Sequence, residues 1–174
     1  MNKLILLFTM SLLFSTSAFS ARNIKHCGSN AESTMKDALR FLDNNINTII
    51  NNTGDLKNGE KKRLKNKLAN INFKCMDHKQ VCKKKATRGG KSRHLFNAAV
   101  VICYNNIRTL LQDDAFCTLA DVLIHEAGHA AGVKKDWGHN NGPNNDKVYR
   151  LGYAAADLCR TKSLDRAIRL NTNN

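Results

Sequence analysis

Glutamate is nearly absent from this chain, occurring only as Glu32, Glu60 and Glu126. Methionine does not occur after Met76, and the single proline, Pro143, sits in a Gly/Asn-rich loop. No proline-rich linker or internal repeat divides the chain. Aromatic side chains are sparse, with one Trp and three Tyr, which argues against a stacking platform for single-stranded nucleic acid. No C-x-x-C occurs, so a cysteine-ligated metal is disfavoured. After the first twenty residues no segment is long and apolar enough to cross a bilayer.

The start of the chain has a different character. Lys3 supplies a positive charge, residues 4–14 are almost wholly apolar, and Ala18-Phe19-Ser20 offers small residues where a signal peptidase reads. This pattern predicts a secretory signal peptide over residues 1–20. A retained anchor would need a longer apolar run. The remaining 21–174, about 154 residues, suits one domain with a real core. A secreted or periplasmic monomer is expected. All six cysteines lie beyond the signal, and an even number in an exported chain favours three disulfides, although six cysteines can pair in many ways.

The formal charge is +14, or +13 once Lys3 is removed. Basic residues gather at Lys61-Lys62-Arg63 and again over residues 83–93. Such a surface draws acidic polymers, nucleic acid or anionic lipid, or serves simply as a solvated face.

Helical spacing of Met35, Ala38, Leu39, Leu42, Ile46, Ile49 and Ile50 predicts a long amphipathic helix over 31–51, followed by a shorter basic helix over 59–68. Segments 81–87 and 95–104 flank Arg88-Gly89-Gly90-Lys91 and read as two strands of a hairpin, with Ala99-Val100-Val101-Ile102 as a buried strand. A helix begins near Thr118 and ends at Gly132. After a polar loop over 134–145, another helix starts at Asn145 or Asp146, with Val148, Leu151, Ala155 and Leu158 as its apolar stripe. A last short helix is expected over 163–170.

The stretch that carries chemistry is His125-Glu126-Ala127-Gly128-His129, a complete H-E-x-x-H. Residues four apart share a helix face, so both imidazoles can grip one Zn2+ while Glu126 takes a proton from the attacking water. Hydrolysis needs a third protein ligand. One large class of such enzymes uses a downstream glutamate, and this chain has none after Glu126. A second class extends the motif to a third histidine and a methionine turn. Here Gly132 fits that pattern, but Lys135 occupies the ligand position and no methionine follows. The remaining downstream donors are Asp136, His139, Asp146, Asp157 and Asp165. Asp146 stands out because Tyr149 follows three residues later on the same helical face, where a phenol can donate to a developing oxyanion. Without the zinc motif, Asp146 would read as an N-cap and Tyr149 as a half-buried amphipathic side chain. His26, His78, His94 and His139 lack partners at ligand spacing.

In these residues the chain resembles the aspzincin metallopeptidases, the deuterolysin and peptidyl-Lys metalloendopeptidase group, in which H-E-x-x-H is followed by G-T-x-D-x-x-Y-G. The matching residues are His125, Glu126, His129, Asp146 and Tyr149. The segments Val100-Val101-Ile102-Cys103, Leu119 to Ile124, and Gly152-Tyr153-Ala154-Ala155-Ala156 are similar to their family counterparts. The chain departs from the family at Asn144-Asn145, where Gly-Thr precedes the aspartate, at Arg150, where Gly follows the tyrosine, and in its longer loop from His129 to Asp146. Asp136 and His139 stay open as third donors. The family's acidic determinant for lysine substrates has no counterpart at Asn171-Thr172-Asn173, so that specificity is not implied. The resemblance implies disulfides Cys27–Cys75 and Cys82–Cys103, which leaves Cys117–Cys159.

The expectation is therefore an α+β, mainly α-helical, zincin-like single domain with a small antiparallel sheet and an H-E-x-x-H active-site helix. It would act as a zinc endopeptidase on a protein or peptide substrate. Its metal ligands would be His125, His129 and Asp146, with Glu126 and Tyr149 catalytic. Asp121, one turn before His125, is a candidate acceptor for that imidazole's other nitrogen. The alternatives are an exported zinc-containing protein that binds nucleic acid or anionic envelope polymers through its basic surface, and an inert helix carrying the motif by chance.

Overall fold

Met35, Leu39, Leu42, Ile49 and Ile50 line the buried face of α1 (Ser29–Thr53), the long helix expected from their spacing. Gly54, at φ 92°, ends it by donating its N–H to Asn51 O. In the computed structural model the described residues are 22–86, 89–92, 99–110, 114–133 and 146–172. The basic helix follows as α2 (Asn58–Asn70), where the Glu60 carboxylate accepts the Lys57 N–H at 2.8 Å and satisfies one of the orphan donors of the first turn. Only Leu64 and Leu68 of α2 are buried; Lys62 and Lys65 are exposed, and Lys61 and Lys67 half-buried.

The sheet has four short strands, β1 (Ile24–Lys25), β2 (Phe73–Cys75), β3 (Gly90–Lys91) and β4 (Val100–Ile102), in the order β1-β2-β4-β3. It is mixed, and this corrects the antiparallel sheet expected from sequence. β1, β2 and β4 run parallel, and only β3 is antiparallel. The period of two is clear in β4, where Val100 and Ile102 are buried and Val101 is half-buried on the other face.

The expected hairpin is also corrected. Residues 81–86 do not pair with β4, because β2 and β3 already occupy its two edges; Thr87 lies outside the described residues. The chain there forms a single turn of helix, α3 (Gln80–Lys83). Gly90 and Lys91, expected in the turn, are strand residues; Arg88 lies outside the described residues. Tyr104, expected to end a strand, begins α4 (Tyr104–Leu110), whose first turn is capped by Asp77 Oδ1 accepting the Asn105 N–H at 2.8 Å.

Two further helices follow among the described residues, α5 (Ala115–Ala130) and α6 (Lys147–Thr172). The separate last helix expected over 163–170 is continuous with α6. The polar residues Thr161 and Ser163 do not break it, because their hydroxyls donate to the carbonyls of Asp157 and Cys159 one turn earlier. One buried cluster joins α1, α2, β2, β4, α5 and α6. Among the described residues no helix is long and apolar enough to cross a membrane.

Three disulfides hold the ends of these elements, and their pairing is the one the resemblance implied. Cys27–Cys75 ties the end of β1 to β2, Cys82–Cys103 ties α3 to the end of β4, and Cys117–Cys159 ties the first turn of α5 to α6. The residues expected to form the signal peptide, 1–20, lie outside the described residues.

Candidate metal centre

The H-E-x-x-H residues lie in the last turns of α5, whose Leu119, Ala120, Leu123, Ile124 and Ala127 face the core. The helix stops just after His129. Gly132, at φ 66°, donates its N–H to His129 O, and the Val133 N–H reaches back to Gly128 O, which together form a Schellman closure. Arg63 of α2 adds a bond from Nε to Ala131 O at 3.1 Å, giving the last carbonyls a cationic partner.

His125 and His129 share one face, with ring centroids 4.9 Å apart and planes at 72°. Both are half-buried. Against them packs the start of α6. The Tyr149 ring lies 4.7 Å from that of His125, nearly perpendicular to it, and Tyr153 follows one turn later at 6.0 Å from Tyr149. Burial pushes the Tyr149 phenol up from its ordinary value, and Tyr153, Asp146, Asp121 and Glu126 push it further. The carboxylates of Asp146 and Glu126 are thus both near enough to act on this phenol, which stays protonated as a donor at neutral pH.

Asp146 is 2% exposed. One of its oxygens, Oδ1, accepts the Val148 N–H at 3.1 Å, a capping bond at the start of α6. The N-cap reading of this residue is therefore realised. Glu126 is 7% exposed and lies under β3: a Cβ placed on Gly90 would stand 2.9 Å from Glu126 Cγ and 3.1 Å from its Oε1.

The close approach of α6 depends on two glycines whose role the sequence reading missed. Gly128, inside the motif itself, faces Val148 and Leu151; a Cβ there would lie 3.0 Å from Val148 Cγ1. Gly152 of α6 faces Asp121 of α5 in the same way. Asp121 is thereby turned toward α6, where burial lifts its carboxyl from 3.8 to about 6, Arg160 opposes the shift and Asp157 adds to it. The start of α6 is held from the other side by two ion pairs, also unforeseen: Lys147 with Glu60 at 3.1 Å, and Arg150 with Asp55 at 2.7 Å. The signal for the second was Arg150 itself, which stands where the similar family has glycine.

The structure thus places His125 and His129 on one face of α5, Tyr149 of α6 against His125, Gly90 of β3 against Glu126, and Asp146 at the start of α6. Among the described residues no three His, Cys, Asp or Glu side chains converge as a closed metal-holding group. Asp136 and His139, the alternative third donors, lie outside the described residues, as does His94. His78 is exposed, and His26 is exposed beside β1. The donor chemistry fits Zn2+ nonetheless, with two imidazoles on one helix face and a buried carboxylate at the start of the helix packed against it. No family model matches this chain, and no curated protein or solved structure matches it either.

Proposed function

We propose that this protein is a secreted zinc endopeptidase of zincin-like architecture. The observation that carries the reading is the packing of Tyr149 on His125, which sets the Asp146 helix against the H-E-x-x-H face. His125, His129 and Asp146 would hold the metal, which when bound supplies Lewis acidity toward a peptide carbonyl and its attacking water.

The remaining work falls to the chain's own groups. Glu126 takes the proton of the attacking water and passes it to the leaving amine. Its position under Gly90 keeps it out of bulk solvent. The Tyr149 phenol, protonated at working pH, donates to the developing oxyanion. β3 ends the sheet among the described residues, so its outer edge can pair with an extended peptide and lay it across Glu126. Three disulfides support the secreted assignment, since such bonds persist in oxidising compartments.

Metal content and turnover of Glu126→Ala test the reading. The variant should keep its zinc and lose roughly a hundred- to ten-thousandfold in peptide hydrolysis. A zinc-containing binding protein, the second reading, draws support from the exposed lysines of α2. It would lose nothing on this substitution. Purified protein that holds no zinc at neutral pH would sink both.

A further inference from the structure

The strand that borders Glu126 also closes one of the chain's two strongly basic stretches. Between residues 74 and 91 stand seven basic residues, Lys74, Lys79, Lys83, Lys84, Lys85, Arg88 and Lys91, and one acid, Asp77. That acid is already engaged in capping α4. Lys79, Lys83, Lys84, Lys85 and Lys91 are all exposed.

These lysines are held in place relative to β3. Cys103 anchors both parts of the platform: its sulfur is bridged to Cys82, directly before the Lys83-Lys84-Lys85 run, and its N–H donates to Gly89 O at 2.8 Å, directly before β3. Asn106 Nδ2 closes the run from its other end, donating to Cys82 O at 3.2 Å and Lys85 O at 3.1 Å. Within the sheet, Lys91 and Lys74 both pair with Val101 from opposite sides, so they share the face away from the core. Gly90, one residue earlier, points its bare Cα at Glu126.

From this arrangement we propose that the substrate segment laid along β3 is an acidic peptide, one rich in Asp and Glu beside the cleaved bond. The inference rests on the endopeptidase reading and names its substrate class. Side chains of an extended peptide alternate between the two faces of the sheet it joins. Those on the outer face meet Lys91, and those beyond the end of β3 meet the Lys83–Lys85 run. Several like charges on one fixed surface raise the local concentration of an oppositely charged ligand and reject a like-charged one. A mobile solvated face needs no such tethering by Cys103 and Asn106.

The test uses the zinc-loaded full chain and two fluorogenic peptides of equal length, one with Asp and Glu flanking the scissile bond and one with Asn and Gln. The acidic peptide should show kcat/KM higher on the order of tenfold at low salt, with the ratio falling toward one as salt shortens the screening length. Changing Lys83, Lys84, Lys85 and Lys91 together to Gln should abolish the ratio, with zinc content and circular dichroism retained as the check on folding. Equal cleavage of both peptides by the unmodified chain overturns the proposal and leaves the endopeptidase reading standing. If neither is cleaved, that reading fails, and anisotropy with the labelled acidic peptide on Glu126→Ala still decides the docking. Binding lost in the four-lysine variant supports the surface. Binding to neither peptide, or tighter binding of an oligonucleotide of equal charge, overturns it.

Discussion

Asp121 of α5 fills the space that a side chain at residue 152 of α6 would need. A Cβ on Gly152 would overlap Asp121 Oδ1 and stand 2.9 Å from its Cγ and 3.4 Å from its backbone oxygen. Gly152→Ala should therefore cost about 2–3 kcal/mol, an overpacking effect, rather than the small gain that Gly→Ala gives inside an unobstructed helix. Because the clash is with one side chain, Asp121→Ala should recover most of the loss in the double variant. Urea unfolding of the four proteins measures the coupling. Additive effects would show that the backbone, and not Asp121, sets the contact.

The same carboxyl gives the fold a pH dependence. Asp121 has its pKa raised by burial from 3.8 to about 6 in the folded chain. Between these values the folded state holds a proton that the unfolded chain has released, so stability falls as pH rises from about 4 to about 6 and then levels. The loss is about 3 kcal/mol at most, one pKa unit being about 1.4 kcal/mol. Asp121→Asn should flatten that part of the curve. Thermal unfolding of chelator-treated protein at pH 4.5 and pH 7 gives the comparison, and an unchanged slope in Asp121→Asn would assign the effect elsewhere.

Legibility from sequence followed the range of the interactions. α1 could be read because its apolar residues recur at one period over many turns, and the H-E-x-x-H face because both histidines lie on one helix. The strands β1, β2 and β3 are two or three residues long. At that length periodicity carries no signal, and parallel pairing joins segments far apart in the chain. The error at 81–87 has this origin: a local hairpin was the simplest partner for β4, but β2, from before that segment, takes the edge. The role of Gly128 could not be read for a similar reason. Its neighbour is Val148, beyond a loop, and a bare Cα announces nothing about what will approach it. The pairing of the cysteines was legible only through family resemblance, since their spacing alone leaves it open.

The start of α6 is clamped by charge, and the clamp should bear on the metal. Burial raises the Glu60 carboxyl, but the Lys57 N–H bond and Lys147 outweigh it, so its pKa falls below the ordinary value. A lowered carboxyl stabilises the fold at neutral pH, and that contribution is lost as pH falls through the carboxylate range. Lys147 adjoins Asp146, and Arg150 adjoins Tyr149. Glu60→Gln with Asp55→Asn should therefore weaken zinc binding a few-fold while lowering stability by only about 1 kcal/mol, since both pairs are partly solvated. Competition with a zinc-binding dye reads the affinity. High salt should weaken zinc binding by the unmodified protein more than by the double variant, and equal salt sensitivity would show that the clamp does not reach the site.

Asp146 has two roles that substitution can separate. Its Oδ1 caps α6 through Val148 N–H, and its negative charge is what the proposed metal role needs. Asn keeps a carbonyl for the cap and removes the negative charge; Ala removes both. Asp146→Asn should leave stability of the metal-free chain nearly unchanged, whereas Asp146→Ala should lower it by about 1 kcal/mol. Both should lose zinc affinity by more than the roughly 10–100-fold that follows from losing an outer partner of a ligand. Denaturant midpoints and zinc dissociation constants, measured on the same preparations, separate the effects. If Asp146→Asn binds zinc as tightly as the unmodified chain, the third ligand is Asp136 or His139, and Asp146 serves as a cap alone.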